Sequence, residues 1–175
     1  QRKENLGMID KKTELLAPAG DLEKLKIAVL YGADAVYICG EEYSLRAKAK
    51  NFTEEQMKEF IELAHSHGAK VYVTAKIYAH NSDFEGMAEY FKKIEALGAD
   101  AILISDLGVF SVAREAVPNM EIHVSTQANN TNYMSANMWY KLGARRVVVA
   151  RELSFKEIKT IRENIPADMD IEAFV

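Results

Sequence analysis

The chain has 175 residues, 49% of them apolar, enough to bury one substantial core. Its formal charge of −4 carries no global signature of a nucleic-acid binder, and its single cysteine, Cys39, excludes a disulfide framework or a metal cluster built from its own thiols. No apolar run approaches the roughly 20 residues of a membrane span, and no secretory signal is legible, so the expectation is a cytoplasmic α/β protein.

Residues 1–12 are polar and unpatterned and read as a flexible leader; residues 13–175 read as one unit. A strand is expected at Glu14–Ala17, then a helix at Leu22–Leu30. From there one phrase recurs, a glycine, an alanine and a short apolar strand: Gly32-Ala-Asp-Ala-Val-Tyr-Ile38, Gly68-Ala-Lys-Val-Tyr-Val73, Gly98-Ala-Asp-Ala-Ile-Leu-Ile104 and Gly143-Ala-Arg-Arg-Val-Val-Val149. Each follows a helical pattern, at Leu22–Leu30, Glu54–His67, Phe84–Leu97 and Tyr133–Leu142, so the glycine stands where a helix exits with positive φ. Helices at Val109–Ala116 and Phe155–Asn164 complete the set. Thr53 with Gln56 and Ser154 with Glu157 are capping boxes, and Pro118 and Pro166 stop their helices.

The expected strands are Glu14–Ala17, Asp34–Cys39, Lys70–Ala75, Asp100–Ile104, Glu121–Val124, Arg146–Val149 and Asp170–Phe174. Strands alternating with helices imply a parallel sheet, and no strand runs into a Gly-x-Gly-x-x-Gly turn. The fold class is therefore an α/β (β/α)8 TIM-like barrel, truncated after strand seven, whose open edge invites pairing or a dimer.

Alternation along the strands selects the lumen side chains. In the fifth strand it turns His123, Ser125 and Gln127 inward; in the third, Tyr72, Thr74 and Lys76; in the seventh, Glu172 and Phe174. The sixth, with three consecutive valines, cannot be assigned. The run His123-Val-Ser-Thr-Gln-Ala-Asn-Asn-Thr-Asn132 holds more uncharged hydrogen-bonding groups than capping needs, which marks a site at a strand end. Ser105-Asp106, Arg151-Glu152 and the loop Glu41–Phe52, with Arg46, Lys48 and Lys50 among Tyr43 and Phe52, add charge at the same end.

Each has a plainer role beside it. Asp106 suits a helix N-cap, Asn129 and Asn132 suit caps, and Lys76 with Glu172 suits a lumen ion pair. Arg151 with Glu152 suits a surface pair, His123 a core histidine and Cys39 a small buried apolar residue. The candidate acid–base residues are Asp106, Glu172 and Glu152. The candidate substrate-binding residues are Arg46 and Lys76 for anionic groups, Gln127 and Asn129 for a base edge, with Ser125 beside them and Arg151 orienting. Lys76 also fits a Schiff-base lysine. A lone Ser125 two residues from His123 on one strand does not make a nucleophile–base pair.

Seven segments, Glu14-Leu-Leu-Ala-Pro-Ala-Gly-Asp21, Tyr31-Gly-Ala-Asp-Ala-Val-Tyr37, Tyr43-Ser-Leu-Arg46, Ser105-Asp106, His123-Val-Ser-Thr-Gln-Ala-Asn129, Ala150-Arg-Glu-Leu-Ser154 and Ile171-Glu-Ala-Phe-Val175, resemble the collagenase-like proteases, family 32 of the peptidases of unknown catalytic type. The match runs in order from Glu14 to Val175 and is nearest the branch that hydroxylates the wobble uridine of bacterial tRNA. The resemblance implies a barrel domain, an RNA substrate, dependence on prephenate and an iron–sulfur cluster in the full-length protein, with no cluster ligand in this fragment. It leaves a peptidase and a non-catalytic binding scaffold as alternatives.

Overall fold

A computed structural model of the chain describes residues 13–39, 52–75 and 79–175. Among these, seven strands form one parallel sheet in chain order: β1 (Leu16–Pro18), β2 (Ala35–Cys39), β3 (Lys70–Ala75), β4 (Ala101–Ile104), β5 (Glu121–Val124), β6 (Arg146–Val148) and β7 (Asp170–Glu172). Between them run α1 (Leu22–Leu30), α2 (Glu54–Ser66), α3 (Met87–Ala96), α4 (Leu107–Ala116), α5 (Tyr133–Leu142) and α6 (Phe155–Glu163). The sheet curls into an open barrel. Glu14, just ahead of β1, reaches across the interior to Arg146 of β6 at 2.7 Å.

The repeated phrase explains the turns. Gly32, Gly68, Gly98 and Gly143 take φ of 90, 76, 92 and 107°, a region closed to most side chains. The aspartate two residues on has its own task. Asp34 accepts the Leu15 N–H at 2.9 Å, and Asp100 accepts the Val71 N–H at 2.7 Å. A carboxylate at the helix exit thus ties the entering strand to its neighbour.

The even-odd alternation holds. Val36, Ile38, Val71, Val73, Ile102, Ile122, Val124 and Val147 face the helices and join the main core with Phe60, Phe91 and Phe110. Each such side chain contributes roughly 1.5–3 kcal/mol by leaving water. Ala35, Tyr72 and Ala101 form a separate lumen cluster. The two expected capping boxes are present, Thr53 with Gln56 and Ser154 with Glu157.

Some boundaries move. The helix expected from Phe84 splits into a 3-10 turn, Asn81–Phe84, and α3, because Gly86 between them adopts a left-handed backbone at φ 78°. β1 shifts forward to end on Pro18, which an edge strand tolerates because no neighbour needs its missing N–H. β6 and β7 stop at Val148 and Glu172, one and two residues early. Phe52, grouped above with the basic loop, is buried against Phe60 with ring centroids 4.2 Å apart, so it serves the core. The leader 1–12 and the rest of that loop, including Arg46, lie outside the described residues, as does Lys76.

Candidate functional site

The lower half of the lumen is built around Arg146. Because Val147 packs outward, the residues on either side of it turn inward, and Arg146 is only 7% exposed. Its guanidinium lies 2.7 Å from Glu14, 3.4 Å from Asp170 and 3.5 Å from Glu172. It also sits 5.2 Å from the Tyr72 ring centroid, and the Tyr72 hydroxyl donates to the Glu14 carboxylate at 2.9 Å. His123 meets the same ring edge-on, with centroids 4.7 Å apart.

Ionisation follows this geometry. Burial alone would raise the Glu14 carboxyl, but hydrogen bonding and charge from Arg146 override it and hold it below the ordinary value. Burial pushes the Tyr72 phenol strongly up, so it stays protonated as a donor. Burial pushes His123 down, so the imidazole is neutral, with Nε2 3.3 Å from the Glu121 carboxylate. His123 is thus a partnered core histidine, and it has no hydrogen bond to Ser125.

The upper rim has a different chemistry. Ser125 is buried, and its hydroxyl accepts the Gln127 N–H at 3.4 Å, capping a 3-10 turn, Thr126–Ala128. Asn129 ends that turn in the left-handed region at φ 55°, which asparagine tolerates. Asn130 follows, 1% exposed, and its side-chain amide donates to the carbonyls of Val124, Ser125 and Val148 at 3.3, 2.9 and 3.0 Å. Its own carbonyl accepts the Ala150 N–H at 3.1 Å. Asn130 therefore clamps the turn to the end of β6 and leaves Gln127 and Asn129 exposed beside it.

The other candidates divide. Asp106 accepts the Val109 N–H at 2.9 Å as the N-cap of α4, and Asn132 caps α5 through the Ser135 N–H at 2.9 Å. Glu172 lies in the lumen with its carboxylate turned toward Arg146. Arg151 and Glu152 are exposed on the turn after β6, and Arg151 lies over the Phe174 ring at 4.2 Å. Asn129 and Arg151 adjoin the two residues of the Asn130–Ala150 backbone hydrogen bond, while Asp106 and Glu172 are drawn into a cap and an ion network.

Arg146, Glu14 and Asn130 were not singled out from sequence. Arg146 could have been found by reading alternation backward from Val147. Asn130 carries no signal that separates it from its polar neighbours.

An iron–sulfur cluster needs a set of thiolates. The chain's single cysteine accepts a hydrogen bond from the Thr74 hydroxyl at 2.9 Å. Among the described residues no group of three or more His, Cys, Asp or Glu is arranged to hold a metal ion. The residues present do not fit a cluster by themselves.

Comparison with known proteins agrees with the architecture. The tRNA hydroxylation protein P1 of Bacillus subtilis is 46% identical over 96% of this chain, and the tRNA hydroxylation protein P of Escherichia coli is 42% identical over 94%. The chain spans 39% and 36% of the lengths of those two relatives. A solved U32 peptidase superposes with a TM-score of 0.77 at 15% identity, covering 92% of this chain and 68% of its own, which speaks for the fold. The family model for peptidase family U32 matches residues 20–175, and the chain belongs to that family.

Proposed function

We propose that this chain is the barrel domain of an RNA-hydroxylating protein that modifies the wobble uridine of tRNA at carbon 5, in the cytoplasm of a bacterium. The observation that carries this is its 46% identity, across 96% of its length, to a protein named for tRNA hydroxylation. The rim supports it chemically. Gln127 and Asn129 offer amides, each with a donor and an acceptor, the complement of a pyrimidine edge. Arg151 adds a planar cation beside them. Arg46 and Lys76 would hold anionic groups, either phosphate or the carboxylates of prephenate. An iron–sulfur cluster would supply redox chemistry from ligands outside this sequence. Glu152 and Asp106 stand at the rim as candidate proton carriers.

Mass spectrometry of tRNA nucleosides tests the proposal. A strain lacking the gene and any paralogue should lose 5-hydroxyuridine derivatives, and rescue should fail with a Gln127→Ala/Asn129→Ala double variant. Unchanged nucleosides in the deletion strain would sink it.

The family's description as peptidases favours a second reading. Against it, His123 is buried, neutral and turned to Glu121, and Ser125 is buried as a turn cap. Incubation with collagen and casein should show no cleavage. Cleavage abolished by Ser125→Ala would reverse the order of the two.

A further inference from the structure

We infer that Asn129 reads the Watson–Crick edge of one unpaired uracil, its side-chain amide meeting the N3–H and a flanking carbonyl at two points. This rests on the RNA reading above and adds to it the residue that meets the edge, the atoms it meets, and a reason for the strain in its backbone.

The first observation is a contrast within the chain. Asn129 sits at φ 55° and ψ 52°, and every other described residue with positive φ is a glycine, next to a helix end. A side chain in this region crowds its own carbonyl; asparagine bears that better than most residues and worse than glycine. Where only the shape of a turn matters, this chain uses glycine. At Asn129 it keeps a side chain at a cost in strain, which points to a use for that side chain.

The fold does not supply the use. The turn is held by backbone atoms, the Asn129 N–H donating to the Thr126 carbonyl and the Asn129 carbonyl accepting the Thr131 N–H, both at 2.9 Å. Two other asparagines of the same run spend their amides on the fold, Asn130 on three carbonyls and Asn132 on the Ser135 N–H. The Asn129 side chain is exposed, and among the described residues it has no hydrogen-bond partner. Its neighbours are fixed on both sides. Ala128 packs against the main core, and Asn130 is 1% exposed and clamped to the end of β6. A free amide on an anchored backbone loses little freedom when it binds.

The chemistry selects the ligand. A carboxamide sets an acceptor beside a donor, and uracil answers with a donor, N3–H, beside an acceptor carbonyl. A phosphate offers acceptors alone and leaves the amide oxygen unused. A base still paired in a duplex has this edge occupied, so the amide meets a base in a loop or one turned out of its stack.

The test is binding of a labelled tRNA anticodon stem-loop to the full-length protein, followed by fluorescence anisotropy, with thermal unfolding of each variant. Asn129→Gly, which keeps the turn and loses the amide, should unfold at or above the parent midpoint yet bind roughly tenfold more weakly. Asn129→Ala should bind as weakly and also unfold about 2–4 °C lower, because it keeps the strain without the tolerance of asparagine. A stem-loop carrying N3-methyluridine at the target position should bind the parent more weakly by the same factor, and it should bind the parent and Asn129→Gly equally.

The assignment is overturned if Asn129→Gly binds the stem-loop like the parent, or if it unfolds well below the parent, since the amide then serves the fold. It is overturned too if N3-methylation and Asn129→Gly weaken binding additively, since another residue then reads that edge. Failure of the parent protein to bind either the stem-loop or intact tRNA is a separate result, and it overturns the RNA reading together with the assignment.

Discussion

The two ends of the lumen meet opposite demands. At the lower end, Arg146 faces the carboxylates of Glu14, Asp170 and Glu172 in a space where it is 7% exposed, and Tyr72 and His123 close over it. Charge taken out of water must be satisfied on the spot, so these groups are spent on one another. At the upper rim, the exposed side chains of Gln127 and Asn129 are uncharged and stand clear of such a network. The difference separates residues that hold the barrel from residues free to meet a ligand, as expected of the two faces of a (β/α) barrel.

The comparison can be broken most violently at Arg146. Arg146→Met removes one cation and leaves partly buried carboxylates facing each other, which should destabilise the fold by roughly 3–5 kcal/mol. Chemical denaturation should show it as a lower midpoint with an unchanged slope. Adding Glu14→Gln to that variant should recover part of the loss, because one stranded charge is then gone. A variant as stable as the parent would show that the network contributes nothing.

Asn130 tests the join between the two ends. Asn130→Ala deletes a buried amide that donates to three backbone carbonyls, and stranding those acceptors should cost roughly 2–3 kcal/mol. It should also loosen the turn before β6 frays, which hydrogen exchange at Gln127–Asn129 would show as faster exchange than in the strands.

What the sequence allowed, and what it hid, follows the same divide. The barrel was legible because its turns use glycines at positive φ and its strands alternate, both local properties. The lumen positions of His123 and Glu172 came from the same alternation. Arg146 was hidden because it opens a run of three valines, and which valine faces in depends on the helices packed behind it. Its partner Glu14 is 132 residues away, a pairing that exists only once the sheet has curled. In sequence Asp106 suits an acid and a cap equally, and only the 2.9 Å bond from the Val109 N–H shows the cap.

Acid should act on the lower end first. His123 is held below its ordinary value of 6.5 by burial, so the unfolded chain takes up a proton that the folded chain refuses. That contribution is complete above pH 6.5 and is lost progressively as pH falls below it. Glu14 is held below 4.5, so its contribution is lost only as pH falls under that value. Unfolding free energy measured against pH should therefore decline in two stages, and His123→Gln should remove the first alone. A parent protein equally stable at pH 7.5 and 5.5 would contradict the buried neutral imidazole.

Asp106 lies between the two ends in character. Asp106→Ala should lower stability by about 1 kcal/mol, the usual effect of losing an N-cap, while Asp106→Asn, which still caps, should restore it. If nucleoside hydroxylation in cells follows stability through this pair, the carboxylate serves the helix. If Asp106→Asn is stable but inactive, the charge itself is needed at the rim.

The smallest effect on stability belongs to Gln127. Its side chain is exposed on a turn that Ser125 and Asn130 hold without it, so Gln127→Ala should change the unfolding free energy by no more than about 0.5 kcal/mol. Binding to the anticodon stem-loop should nevertheless weaken, because an amide that meets a base edge contributes roughly 1–3 kcal/mol of discrimination. The lower lumen predicts the opposite pattern, with variants that unfold easily yet bind normally while folded. Measuring both quantities on Gln127→Ala and Arg146→Met in one series decides whether the two ends are separable. If Gln127→Ala loses stability and keeps its affinity, the rim is scaffold, and recognition of RNA lies elsewhere on the protein.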